Sequence, residues 1–161
     1  MSKSLGNAIY LSDDEDTLKK KVMSMYTDPK HIHVEDPGHL EGNTVFTYLD
    51  AFCRPGHFAA YWPEYQTLDE VKEHYTRGGL GDMKVKKFLN NILQEELEPI
   101  RRRRAEFEKD IPAVYEMLRK GCEEARAVAA ETLSEVRRAM KIDYFDDKAL
   151  IEEQSRRFTT K

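Results

Sequence analysis

Asp82-Met83-Lys84-Val85-Lys86-Lys87-Phe88-Leu89-Asn90-Asn91-Ile92-Leu93-Gln94-Glu95-Glu96-Leu97 is the stretch that decides the fold. Met83, Val85, Phe88, Leu89, Ile92, Leu93 and Leu97 recur at the three- and four-residue steps of an α-helix and form a broad apolar stripe. A stripe that wide must be buried against other elements, and nowhere in the chain does strand alternation offer a sheet as its partner. The expected class is therefore all-α, a helical bundle. Lys84, Lys86 and Lys87 stand in the first turns, beside amides that already favour anions, so this end of the helix is a candidate phosphate contact. Pro99 predicts a kink or a fresh start, because it lacks the amide hydrogen that the helix ladder needs. Arg101 to Arg104 then spread four guanidinium groups around one turn, with Glu106, Glu108 and Asp110 close enough to pair with some of them. A salt-bridged, solvated face and an RNA backbone contact fit that pattern equally well.

Moving toward the amino terminus, Thr67-Leu68-Asp69-Glu70 has the spacing of a capping box, and the helix it opens runs through Val71 and Tyr75 to Gly78-Gly79. Phe58, Tyr61, Trp62 and Tyr65 crowd aromatic rings into a few residues; stacking on bases is one use, and packing between helical layers is the favoured one. Val45, Leu49 and Phe52 fall on one face of a short helix, which Pro55 and Gly56 are expected to stop. His31, His33, His39, Cys53 and His57 invite a metal reading, but no paired ligand spacing occurs among them, and surface or loop histidines are expected instead. Ser12-Asp13-Asp14-Glu15 reads as a further capping box, opening a helix that carries Leu18, Val22, Met25 and Tyr26 and ends before Asp28-Pro29.

Toward the carboxy terminus, Pro112 suits the first turn of a long helix reaching about Ile142. Val114, Met117, Leu118, Cys122, Ala125, Val128, Ala129, Leu133, Val136 and Met140 mark its expected buried side, with Cys122 an inert core thiol. Gly121, Ala125 and Ala129 form a small-residue track along it. Residues 12–145 are expected to make one helical domain, followed by a polar tail over 146–161 that promises little order.

The 161 residues carry 26 Lys and Arg against 30 Asp and Glu, a net charge of −4, so any nucleic-acid contact must come from a local patch and a general DNA-coating role is excluded. No run approaches the roughly 18 apolar residues of a membrane span, and the two cysteines show no paired spacing, which fits a reducing cytoplasm.

The first residues, Met1-Ser2-Lys3-Ser4-Leu5-Gly6-Asn7, combine an ammonium, hydroxyls, an amide and a glycine free to turn. Those groups handle phosphate, and a lysine so placed can stabilise negative charge that grows as pyrophosphate departs.

That string resembles the second signature loop of class I aminoacyl-tRNA synthetases, Lys-Met-Ser-Lys-Ser followed by Leu-Gly-Asn, without its leading lysine. The resemblance continues in order through Ser12-Asp13 to Asp28-Pro29, His74-Tyr75-x-x-Gly78-Gly79-Leu80-Gly81-Asp82-x-Lys84 and Leu97-Glu98-Pro99-Ile100-Arg101. It closes on Ala125-Arg126-x-x-Ala129-x-x-Thr132-Leu133-x-x-Val136-Arg137-x-Ala139-Met140, and this late segment looks like the bacterial tryptophanyl-tRNA synthetase family rather than the tyrosine enzymes. The resemblance implies a carboxy-terminal portion of such an enzyme: residues 1–11 as the remnant of the loop and the helices as the anticodon-binding domain. It implies ATP with Mg2+, tryptophan and tRNA(Trp) as the parent's reactants, and a homodimeric parent whose isolated portion is an inactive monomer. Lys3 becomes the catalytic residue; Ser2, Lys3, Ser4 and Asn7 become the ATP contacts. For the tRNA, the connection from Asp69 through Lys87 is chosen, with Lys84, Lys86 and Lys87 as contacts and Arg101 and Arg103 as extensions. A free-standing RNA-binding module and a protein-interaction bundle are the alternatives.

Overall fold

The computed structural model describes residues 6–145 and 147–159, and the described residues form seven α-helices and no strand. The chain divides into two compact units, 1–106 and 107–161.

The first unit is built on α5 (Asp82–Phe107), which buries Val85, Phe88, Leu89, Ile92, Leu93 and Leu97, while Met83 is left 53% exposed. Pro99 lies inside this helix without ending it. Helix α1 (Glu15–Met23) inserts Leu18 and Val22 into the same core. Two straps hold it antiparallel to α5: the Lys86 ammonium donates to the Met23 carbonyl at 3.0 Å, and Gln94 Nε2 donates to the Glu15 carbonyl at 2.9 Å. The cap of α1 is Asp14, whose carboxylate accepts from the Thr17 amide at 2.7 Å, not Ser12 as the spacing suggested.

Helix α2 (Thr44–Phe52) is capped by Asn43 and buries Val45, Phe46 and Leu49, whereas Phe52 turns outward. Helix α2 ends ahead of Pro55, as expected, and Pro55 itself occupies the first turn of α3 (Pro55–Tyr61), where a missing amide hydrogen costs nothing. The aromatic group after it is packing: Phe58 and Trp62 lie against Phe88, with ring centroids 5.1 and 5.2 Å apart. Helix α4 (Leu68–Arg77) has the expected Thr67 cap and Gly78 terminus.

The long connection before α2 packs on α4 through two glycines. A Cβ on Gly38 would lie 2.3 Å from the Tyr75 ring, and one on Gly78, where φ is +89°, would lie 2.3 Å from the Glu35 carbonyl oxygen. Gly38 also donates its amide hydrogen to the Tyr75 carbonyl at 3.0 Å, which fixes that approach. Gly38→Ala is expected to destabilise the first unit by about 1–3 kcal/mol, as overpacking of a filled core does; a denaturant midpoint shifted without a change in slope is the check.

In the second unit, α6 (Ile111–Ala139) starts at an Asp110 cap with Pro112 in its first turn, and it contains no buried residue. Cys122 is exposed, not a core thiol, and Met117, Leu118, Val128, Leu133 and Val136 are exposed with it. The polar tail forms α7 (Lys148–Thr159), supported by Glu152–Arg156 and Glu153–Arg157 pairs one turn apart. No described helix is long and apolar enough to cross a membrane.

Candidate functional site

Ser2, Lys3 and Ser4 lie outside the described residues. From Gly6, which has φ +65°, the chain passes through an exposed Asn7 to a turn in which Asp13 donates its amide hydrogen to the Tyr10 carbonyl at 3.0 Å. The Asp13 carboxylate closes the turn by accepting from the Tyr10 amide at 2.9 Å and from the Lys21 ammonium at 2.6 Å. That ammonium also sits 4.7 Å from the centre of the Tyr10 ring. From the sequence, Asp13 is expected in a capping box and Lys21 on the solvated face of a lysine run, Lys19 to Lys21, with nucleic-acid contact as the alternative; the fold turns Lys21 onto Asp13 instead.

The connection between α4 and α5 is organised by a buried polar group. Tyr75, fully buried, donates its hydroxyl hydrogen to Asp82 at 2.7 Å and accepts from Asn43 Nδ2 at 3.2 Å. The His31 ring lies 3.4 Å from the same Asp82 oxygen through Nδ1, and edge-on to the Tyr75 ring at 4.8 Å. Burial first, then the bond to Asp82, pushes the Tyr75 phenol well above its ordinary range. Gly79 donates to the Val34 carbonyl at 2.6 Å, so the exit of α4 is tied to the preceding loop as well.

The three lysines that open α5 do not act alike. Lys84 and Lys87 are exposed, whereas Lys86 is buried on the Met23 carbonyl, and burial pushes its ammonium down despite the opposing charge of Asp82. Asp69 is exposed in the first turn of α4, about 12 Å of helix axis before its last turn. Arg101 lies 17 residues along α5 from Lys84, about 25 Å, and donates to Gln94 Oε1 at 2.9 Å. Arg103 is exposed in the same part of the helix. Lys84 and Lys87, three residues apart on α5, therefore form one compact basic feature, and Arg101 and Arg103 stand apart from it along the helix.

The histidines and Cys53 have separate surroundings. His31 and His57 are buried, contrary to the surface placement expected for them; His57 Nδ1 accepts from the Arg54 amide at 3.0 Å. Exposed His39 meets Asp28 at 2.6 Å, while hydrogen bonds from Lys30 and His39 hold the Asp28 carboxyl below its usual range. Among the described residues no three or more His, Cys, Asp or Glu side chains gather in a metal-holding group.

Residues 1–98 match the family described as tRNA synthetases class I (W and Y). The chain belongs to that family. Its relatives narrow the group: the chain is 64% identical over 147 residues to the tryptophan–tRNA ligase of Clostridium longisporum, covering 91% of this chain and 40% of that one. The tryptophan–tRNA ligase of Streptococcus pneumoniae serotype 4 is 60% identical over 146 residues, covering 91% of this chain and 41% of that protein. The crystal structure of tryptophanyl-tRNA synthetase from Campylobacter jejuni superimposes with a TM-score of 0.64 at 26% identity, covering 88% of this chain and 42% of that chain. The chain thus spans about 40% of the length of the ligases it matches.

Proposed function

We propose that this chain works as the carboxy-terminal portion of a cytoplasmic tryptophan–tRNA ligase, supplying the lysine-serine loop and the helical anticodon-binding unit. The observation that carries this reading is the similarity to tryptophan–tRNA ligases over 91% of the chain. The reaction joins the tryptophan carboxylate to the α-phosphate of ATP, taken as its magnesium complex, and then passes the acyl group to tRNA(Trp). Lys3 is placed against the departing pyrophosphate, with Ser2, Ser4 and Asn7 as its supporting contacts. By itself the chain is a monomer without ligase activity. Lys84 and Lys87 are the primary tRNA contacts, and Asp69, Arg101 and Arg103 reach other parts of the same ligand. Lys86 contributes through the α1–α5 strap and not through a phosphate.

Binding of the chain to tRNA(Trp), and to the same tRNA with its anticodon changed, across a salt series, tests the reading. A preference for the native anticodon that survives rising salt is expected, because base readout is less salt-dependent than phosphate contact. Equal binding that vanishes with salt, or no binding at low salt, would overturn the anticodon assignment.

A further inference from the structure

Asp13 and Lys21 are used for something that neither helix formation nor core packing demands. Asp14 already caps α1, and the buried face of that helix is Leu18 and Val22. Yet the side chains of Lys21 and Asp13 are only 16% and 9% exposed, so an ion pair has been largely taken out of water. Such a pair is costly unless further hydrogen bonds complete it. Here they do: Asp13 Oδ2 takes both the Lys21 ammonium and the Tyr10 amide, the Asp13 amide returns to the Tyr10 carbonyl, and the Tyr10 ring faces the ammonium. Four contacts thus close the chain over residues 10–13 onto α1. That helix is strapped to α5 at both ends, by Lys86 at Met23 and by Gln94 at Glu15. The position and direction of the backbone at Tyr10 are thereby set by the rigid α1–α5 pair.

We propose that Tyr10, Asp13 and Lys21 form a latch that fixes where the signature loop departs from the helical unit, with Asp13 and Lys21 as positioning residues for the reaction. The inference rests on the ligase reading above. Lys3 lies seven Cα steps from Tyr10, a reach of at most about 25 Å, so the direction in which the backbone leaves Tyr10 limits where Lys3 can stand. A reacting group whose tether has lost its set direction occupies its productive position less often, and small misplacements of such groups cost large factors in rate.

Two measurements on the Lys21→Met and Lys21→Arg variants test the latch. In this chain, amide hydrogen exchange of Tyr10 is expected to quicken at least tenfold in Lys21→Met while the amides of Leu18 and Val22 hold their rates. Lys21→Arg, which keeps the charge, should restore protection, and Asp13→Asn should repeat the effect of Lys21→Met. Unchanged Tyr10 exchange, or equal acceleration throughout α1, would overturn the latch. The second measurement uses the enzyme in which this chain replaces the matching stretch of the Clostridium longisporum ligase, read by ATP–pyrophosphate exchange. There, Lys21→Met should lower kcat at least tenfold with the KM for tryptophan unchanged, and Lys21→Arg should recover most of it. An unaltered kcat, or a change confined to the tryptophan KM, would refute the positioning role. An inactive unsubstituted chimera would count against the ligase reading instead, and the exchange rates would still decide the latch.

Discussion

Tyr75→Ala is expected to lower the stability of the first unit by about 3–5 kcal/mol, the range for removing a large buried aromatic side chain. For a unit of this size that is a fall in Tm of more than about 12 °C. Three losses combine. The ring fills the space between Phe46 and His31, with centroid distances of 4.8 Å to each. The hydroxyl joins Asn43 to Asp82, so its removal leaves a buried amide short of a partner and a carboxylate short of a donor. The ring is also the surface that Gly38 approaches. Tyr75→Phe separates these terms: it keeps the ring and should cost only about 1–3 kcal/mol, the price of the orphaned polar groups. Gly38→Ala should become nearly neutral in the Tyr75→Ala background, since the atoms it would strike are gone, and that non-additivity is the signature of direct contact.

The same tyrosine sets an alkaline limit. Its folded pKa is raised above the unfolded value of about 10, by burial first and by the Asp82 bond second. A group raised in this way contributes its full stability below the unfolded pKa and loses it as pH rises through the folded value. Wild-type stability should therefore fall faster above about pH 10 than that of Tyr75→Phe, which has no proton to lose there. Tyr48, Tyr61 and Tyr65 are shifted upward too, so the difference between the two proteins, not the wild-type slope, isolates Tyr75.

How far the sequence could be read follows the range of the interactions. The α5 stripe and the Thr67 cap with its glycine stop are local patterns, and they stand where the residues put them. The start of α1 is ambiguous in the sequence because Ser12, Asp13 and Asp14 are all competent caps. The choice among them is made by Lys21, eight residues away, which draws Asp13 into the turn. Pro55 marks the end of α2 in the sequence, but the start of α3 on the same residue, which its rigid φ suits, goes unread there. His31 meets Asp82 across 51 residues, a pairing no spacing rule reaches. Lys86 is different: it stands three residues before Leu89 and seven before Leu93, both buried, so its inward position was legible on the helical wheel. Its charge obscured that reading. The Glu–Arg pairs of α7 were legible as well, and polarity alone was a poor reason to expect a tail there.

Replacing Lys84 and Lys87 together by alanine is expected to weaken tRNA binding on the order of 25-fold at 0.1 M salt. With one phosphate per lysine and a slope of about 0.7 per contact on a single-stranded site, two lost contacts lower the salt slope by about 1.4. The double variant should accordingly lose about sevenfold less affinity than wild type between 50 and 200 mM salt. Both side chains are exposed and lie outside the core, so the melting temperature should hardly move. Lys86→Met supplies the opposite pattern. Its ammonium bonds the end of α1 and is buried there, so its loss should lower stability while leaving the salt slope intact. The anticodon preference provides the third axis, because phosphate contacts position a nucleic acid without reading it. The double alanine variant should bind native and altered anticodons with the same ratio as wild type, only more weakly. A ratio that collapses would assign base readout to these lysines, and an unchanged slope would remove them from the interface.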